Sequence, residues 1–137
     1  MTTRFYSSVA QQTTLSGTIN ASTTTIIVGS TTGFPASFPY TLAIDYGSSS
    51  NELVDVASAA GTTLTVTRAV DGTSGQSHSS GAVVRHVSSG RDFKDSRDHE
   101  SATTSVHGVS GSVVGTTSTQ SLSNKTLTSP TLSGTVT

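Results

Sequence analysis

The chain has 137 residues, a net charge of −1, no cysteine and an apolar share of 31 %. Those values exclude disulfides and thiolate metal sites, and they exclude a broad basic field that would gather nucleic acid or an anionic membrane. No apolar run approaches the roughly 20 residues of a membrane span, and the opening MTTRFYSSVAQQTT lacks the apolar core of a signal peptide, so the expectation is a chain made and folded in a cytoplasm without membrane insertion.

Serine and threonine fill more than a third of the chain, and charged residues only 11 %. Branched threonine and valine fit a pleated surface, so the composition predicts a mainly β protein with a small core, completed by neighbouring subunits. Residues 1–13 read as an N-terminal arm and residues 14–88 as a β domain. Within it, TTTIIVGS places Ile26 and Val28 on one face, and YTLAIDY alternates Tyr40, Leu42, Ile44 and Tyr46 against Thr41, Ala43 and Asp45. NELVDVAS puts Val54 and Val56 together with Leu53 opposite. TTLTVTRAV aligns Leu64, Val66, Arg68 and Val70, and GAVVRHV aligns Val83, Arg85 and Val87. These period-two runs predict about five short strands, arranged as a small antiparallel β-sandwich or barrel-like domain.

The connections fit that reading. Gly61 suits a left-handed hairpin position, and Asp71-Gly72 marks a turn. GFPASFP cannot continue a ladder, because proline lacks an N–H; it reads as a docking loop, with Phe34, Pro35, Phe38 and Pro39 over an open end of the sheet. His78 reads as a structural residue whose ring nitrogens bond backbone in the loop after that turn. Arg68 and Arg85 read as exposed, as partners of Asp45, Asp55 or Asp71 across the sheet, or as partners of a neighbouring subunit.

Residues 89–108 form a charged linker or neck helix. Seven of the fifteen charges fall between Arg91 and Glu100: Arg91, Asp92, Lys94, Asp95, Arg97, Asp98 and Glu100. Asp92 could cap the helix, and Arg91–Asp95 and Lys94–Asp98 are spaced for i,i+4 pairs. Phe93 is almost the only apolar residue. The segment reads as a solvated linker or as a neck that packs against copies of itself.

Residues 109–137 are a Ser/Thr-rich segment with leucines at 122, 127 and 132. Alone it cannot bury enough surface to offset its ordering entropy. It is either a flexible tail or a segment that orders by association, with several leucine stripes meeting around an axis.

SLSNKTLTSPTLSG resembles the Leu-Xaa-Asn-Lys-Thr-Leu-Thr-Xaa-Pro-Thr repeat of bacteriophage tail-fibre and minor tail proteins. The upstream TTLSGTINASTTTIIVGSTTGFPASFPYTLAID, followed by GTTLTVTRAVDGTSGQSHSSGAVVRH, resembles the N-terminal domain of minor tail proteins from phages of actinobacteria. The resemblance runs from about Thr14 to the end. It implies a virion structural protein on the tail or head surface, whose β domain docks to other proteins of tail, baseplate or head. Its C-terminal segment would enter a homotrimeric β shaft through Leu122, Leu127 and Leu132. Such proteins usually continue into a longer fibre for host attachment; stopping about one repeat into the shaft suits a short peg, an adaptor or a head decoration.

No catalytic pattern stands out. His78, His86, His99 and His107 share no helical turn and form no His-Xaa-His pair, against the close spacing of zinc sites. No Gly-Xaa-Ser-Xaa-Gly elbow occurs, and Asp45, Glu52, Asp55 and Asp71 read as solvated faces rather than a glycosidase pair. The expectation is no enzyme, no metal and no cofactor. A carbohydrate-binding module is the less favoured alternative: Tyr6, Tyr40 and Tyr46 offer rings, but Tyr40 and Tyr46 share the apolar alternation of a strand and are expected in the core.

Overall fold

A computed structural model describes residues 3–102, 121, 123, 124, 126, 128–131 and 134. The described residues of Met1–Glu100 form one unit, and those of Ser101–Thr137 fall in another. The first unit is mainly β, as the composition predicts. Its strands are β1 (Thr13–Thr14), β2 (Thr25–Ile27), β3 (Tyr40–Ile44), β4 (Glu52–Ala60), β5 (Thr63–Thr67) and β6 (Val83–His86), followed by helix α1 (Gly90–Ser101). The strands make one antiparallel sheet in the order β1-β6-β3-β4-β5-β2.

The sheet curls until its two outermost strands meet. Leu15, just after β1, bridges Val28, just after β2. The Ser16 amide donates to the Ile27 carbonyl at 2.8 Å, and the Gly29 amide donates to the Thr14 carbonyl at 2.9 Å. Of the two architectures the sequence allows, the barrel-like one is present. Closure also removes most of the unpaired edge that a small open sheet would expose.

The core lies inside this curl. Ile26, Leu42, Ile44, Val54, Val56, Leu64 and Val84 are fully buried. All of β3 is buried, including Thr41 and Ala43, which alternation alone marks as exposed; Thr41 is met there by Arg91 of α1. Tyr40 is buried as expected; Tyr46 is 63 % exposed, which corrects its placement in the core. The reason is local: β3 ends at Ile44, and Asp45 takes a left-handed φ of 53°, so the strand alternation stops one residue before Tyr46.

The GFPASFP loop closes one end. Phe38 stacks on Tyr40 at 5.6 Å between centroids, and Phe34 meets Tyr40 edge-on at 5.9 Å. Gly61 sits at φ 62° in the β4–β5 hairpin, and Asp71 and Gly72 both take positive φ in the turn after β5. That turn is closed by the Thr73 amide donating to the Val70 carbonyl, as two central left-handed residues allow.

Gly33 is required by a close approach. Its φ is +74°, and a Cβ there would lie 2.1 Å from the Val9 carbonyl oxygen. The N-terminal arm therefore crosses the loop backbone in contact. Gly33→Ala should lower stability by about 2 kcal/mol or more, from the left-handed strain together with the clash. Chemical denaturation measures the loss, and limited proteolysis should show the arm cut first.

Candidate functional site

Two polar clusters organise the domain, one beneath the sheet and one on its outer face. The first centres on Glu52, the first residue of β4, and Arg68, just past the end of β5. Arg68 donates through Nε to Glu52 Oε1 at 2.7 Å and through Nη2 to Oε2 at 2.6 Å. Its remaining N–H groups reach the carbonyls of Asn20, Thr23 and Gln76 at 2.9, 2.8 and 2.7 Å. All five guanidinium donors are thereby used. Glu52 also accepts from the Ala69 and Gln76 amides at 3.0 and 2.8 Å and from His78 Nε2 at 3.1 Å.

The Glu52 side chain is 0 % exposed and that of Arg68 6 %. Burial pushes the Glu52 carboxyl up, but the Arg68 fork, the Gln76 amide, His78 and the Ala69 amide outweigh it and hold it at about 2, against an ordinary 4.5. The solvated reading of Glu52 is thus corrected. So are the readings of Arg68 as exposed or as an aspartate partner: it is not exposed, and it forks onto Glu52 of its own chain.

His78 is corrected too. Its backbone bridges Ile19, but its ring nitrogens face side chains: Nδ1 lies 2.8 Å from Asp45 Oδ2 and Nε2 3.1 Å from Glu52 Oε2. Both ring nitrogens thus face carboxylate oxygens. With Asp45 engaged at the end of β3, this cluster joins three strand ends and two loops.

The second cluster roots α1. Arg91 forks onto Asp55, Nη2 to Oδ1 at 2.7 Å and Nη1 to Oδ2 at 2.9 Å, and Nη2 also donates to Thr41 Oγ1 at 3.2 Å. Thr41 and Asp55 are direct cross-strand partners on β3 and β4. The Arg91 amide donates to Asp71 Oδ2 at 3.2 Å. Burial pushes the Asp55 carboxyl up, and the Arg91 and Thr41 hydrogen bonds pull it below its ordinary value.

Asp92 takes part in capping the helix, as expected: Ser89 precedes the first helical residue, and Asp92, three residues on, accepts from the Ser89 amide at 2.7 Å, the carboxylate half of a capping box. The i,i+4 pair of Lys94 and Asp98 forms. The pair of Arg91 and Asp95 does not, because Arg91 turns to Asp55 and Asp95 to Arg4, 3.1 Å away. Arg4 also lies 3.3 Å from Asp92. The arm is fixed alongside. The Phe5 amide donates to the Pro39 carbonyl, and the Ser7 amide to His86 Nε2, whose Nδ1 faces the Thr41 carbonyl.

The remaining sequence-selected residues separate. Phe34, Pro35, Phe38 and Pro39 are half-buried, with both phenyl rings on the protein's own core. Phe93, Lys94, Arg97 and Asp98 are exposed. Leu122, Leu127 and Leu132 lie outside the described residues. A cleft of about 220 Å³ lies among Ser16, Ile19, Thr23, Thr25 and Ile27; of its lining residues, Ile19 bridges His78 and the Thr23 carbonyl accepts from Arg68. Among the described residues no group of three His, Asp or Glu is placed to hold a metal ion.

No protein-family model matches this chain, and no curated protein matches it. What the geometry offers chemically is therefore read from the geometry alone. The buried acids and bases answer one another in closed ion pairs, while α1 and the arm carry the polar and apolar groups that face outward.

The Glu52–Arg68 pair missed by sequence reading had a signal. Glu52 is in phase with Val54 and Val56, and Arg68 with Leu64 and Val66, so alternation already puts both charges on the core face.

Removing one partner leaves the other buried and unanswered. Arg68→Ala should destabilise the domain by roughly 3–5 kcal/mol, read from urea midpoints. The pH dependence has a definite sign. Glu52 has a lowered folded pKa, so its contribution is fully present above pH 4.5 and fades as pH falls towards 2. It amounts to on the order of 3 kcal/mol. Urea titrations between pH 7 and pH 2 should show that loss in the native chain and a flatter profile in Glu52→Gln.

Proposed function

We propose that this chain is a structural attachment module of a bacteriophage particle, an adaptor of the tail-fibre or minor-tail type and not an enzyme. The curled β domain is the rigid plug that meets a receiving ring of virion protein. The C-terminal segment joins two further copies in a trimeric shaft. The single observation that carries this is a five-residue period with a backbone counterpart. Leu122, Leu127 and Leu132 recur every fifth residue. Two residues after each, Asn124, Ser129 and Gly134 take left-handed φ values of 56°, 52° and 104°. A kink repeated at equal intervals winds a chain regularly, and its interval is the interval of the leucines in the sequence. The closed ion pairs of the domain support the same reading, because they serve rigidity.

Two experiments test it. The native chain should have three times the 13.9 kDa chain mass in light scattering. Replacing Leu122, Leu127 and Leu132 with serine should abolish the trimer while the circular dichroism of the β domain persists; an intact trimer in that variant removes the shaft. Mass spectrometry of purified particles from the source lysate should find the chain at fixed stoichiometry, and its absence there removes the virion role.

A further inference from the structure

The hairpin that joins the two ends of the curled sheet opens just past its first rungs. Leu15 bridges Val28, and the Ser16 amide donates to the Ile27 carbonyl at 2.8 Å. The Ser16 carbonyl does not answer the Ile27 amide in return; it accepts from Ser80 Oγ at 3.3 Å. Two sets of bonds hold the walls apart. Residues 16–19 follow the loop at 78–81, through the Ile19–His78 bridge and the Ser80 amide on Thr18 Oγ1 at 3.3 Å, while β2 stays on β5. The turn from Asn20 to Thr23 joins the walls at the far end, and Arg68 holds the carbonyls of both residues. The space between the walls is the cleft of about 220 Å³. It is pre-formed, as small-molecule sites usually are, and the domain's buried ion pair fixes one end of it.

The ladder shows which backbone groups face this cleft. The Val66 amide donates to the Thr24 carbonyl and the Val28 amide to the Thr62 carbonyl, so Thr24, Ile26 and Val28 commit their polar groups to β5. Thr25 and Ile27 turn theirs to the opposite edge, where the cleft lies. Only the Ile27 carbonyl is answered there among the described residues, by Ser16. Two amides and one carbonyl thus remain along the wall. The Ser16 and Thr25 side chains line the same space, Ile27, 50 % exposed, adds an apolar surface, and no charged side chain lines it.

We propose that this cleft binds one neutral sugar ring, free or as the terminal unit of a glycan. A sugar hydroxyl both donates and accepts, so it answers an edge that offers amides, a carbonyl and hydroxyls together. The C–H face of the ring lies on Ile27. An ion is disfavoured, because no lining charge would offset its desolvation. The volume is below the roughly 300 Å³ at which pockets for larger ligands begin, which suits a single ring. A peptide strand adding to the β2 edge would run into the Leu15–Val28 bridge at one end and the Asn20–Thr23 turn at the other, so the geometry favours a compact ligand over an extended chain. The site stands independently of the attachment reading.

Amide NMR spectra of the full chain test it. Glucose, galactose, mannose and N-acetylglucosamine are titrated singly, with glycerol and an uncharged Ser/Thr hexapeptide as comparisons. At least one sugar should shift the Thr25 and Ile27 amides with half-saturation in the millimolar range, as a ligand of about a dozen non-hydrogen atoms allows. Gly17→Leu adds bulk at the cleft wall, where a Cβ would meet nothing within 4 Å; it should weaken binding at least tenfold without lowering the urea midpoint. Thr25→Val keeps the side-chain shape without the hydroxyl and should weaken binding about fivefold. A large gain in affinity for the matching trisaccharide marks a glycan end as the source of the ring, and equal affinity marks the free sugar. The proposal is overturned by shifts that both variants leave intact, by equal shifts with glycerol, by shifts with the peptide alone, or by no shift of these amides with any of the sugars at about 100 mM.

Discussion

The fork between Arg68 and Glu52 is the constraint on which the domain depends. Five donors and five accepted hydrogen bonds close on one another around a fully buried carboxylate. Desolvating both charges is expensive, and only complete geometric satisfaction offsets it. The pair therefore specifies where things go more than it adds net stability. It fixes the entry of β4, the exit of β5 and the loops at residues 20–23 and 76–78 in one arrangement. Ala69 illustrates the constraint: it holds a left-handed φ of 57° while its amide donates to Glu52.

The two described core-side histidines show how partners define a ring. His78 lies between two carboxylates. His86 lies between the Thr41 carbonyl and the Ser7 amide, so it donates on one side and accepts on the other. One ring ties strand ends together; the other fastens the N-terminal arm across β3. Both are joints between segments far apart in the chain.

Much of the fold was legible because strands and turns are local. Alternation located β2 to β6, Gly61 and Asp71-Gly72 marked their turns, and two phenylalanines in a proline-rich loop announced the cap over Tyr40. What was hidden is non-local. Nothing near Arg91 names Asp55, 36 residues away, as its partner rather than Asp95. Nothing near His78 names Asp45 and Glu52. The charges of the Arg68 cluster stood on the core face of their strands, yet the usual solvation of Arg and Glu argued the other way. Tyr46 failed for the opposite reason, since a single left-handed residue ended the strand early.

The root of α1 has a mechanical consequence. Tension applied to the far end of the helix enters the sheet through Arg91 at Asp55 and Thr41, in the middle of β4 and β3. These two strands are paired over five residues, from Tyr40 opposite Val56 to Ile44 opposite Glu52. Load is thus delivered to two central strands of the sheet, not to an outermost strand that could be peeled away one hydrogen bond at a time. Arg4 shares the load through Asp92 and Asp95, which makes the arm a guy-line for the helix. A domain wired this way yields at its ionic anchor before its sheet, so it can release a pulled helix and remain folded.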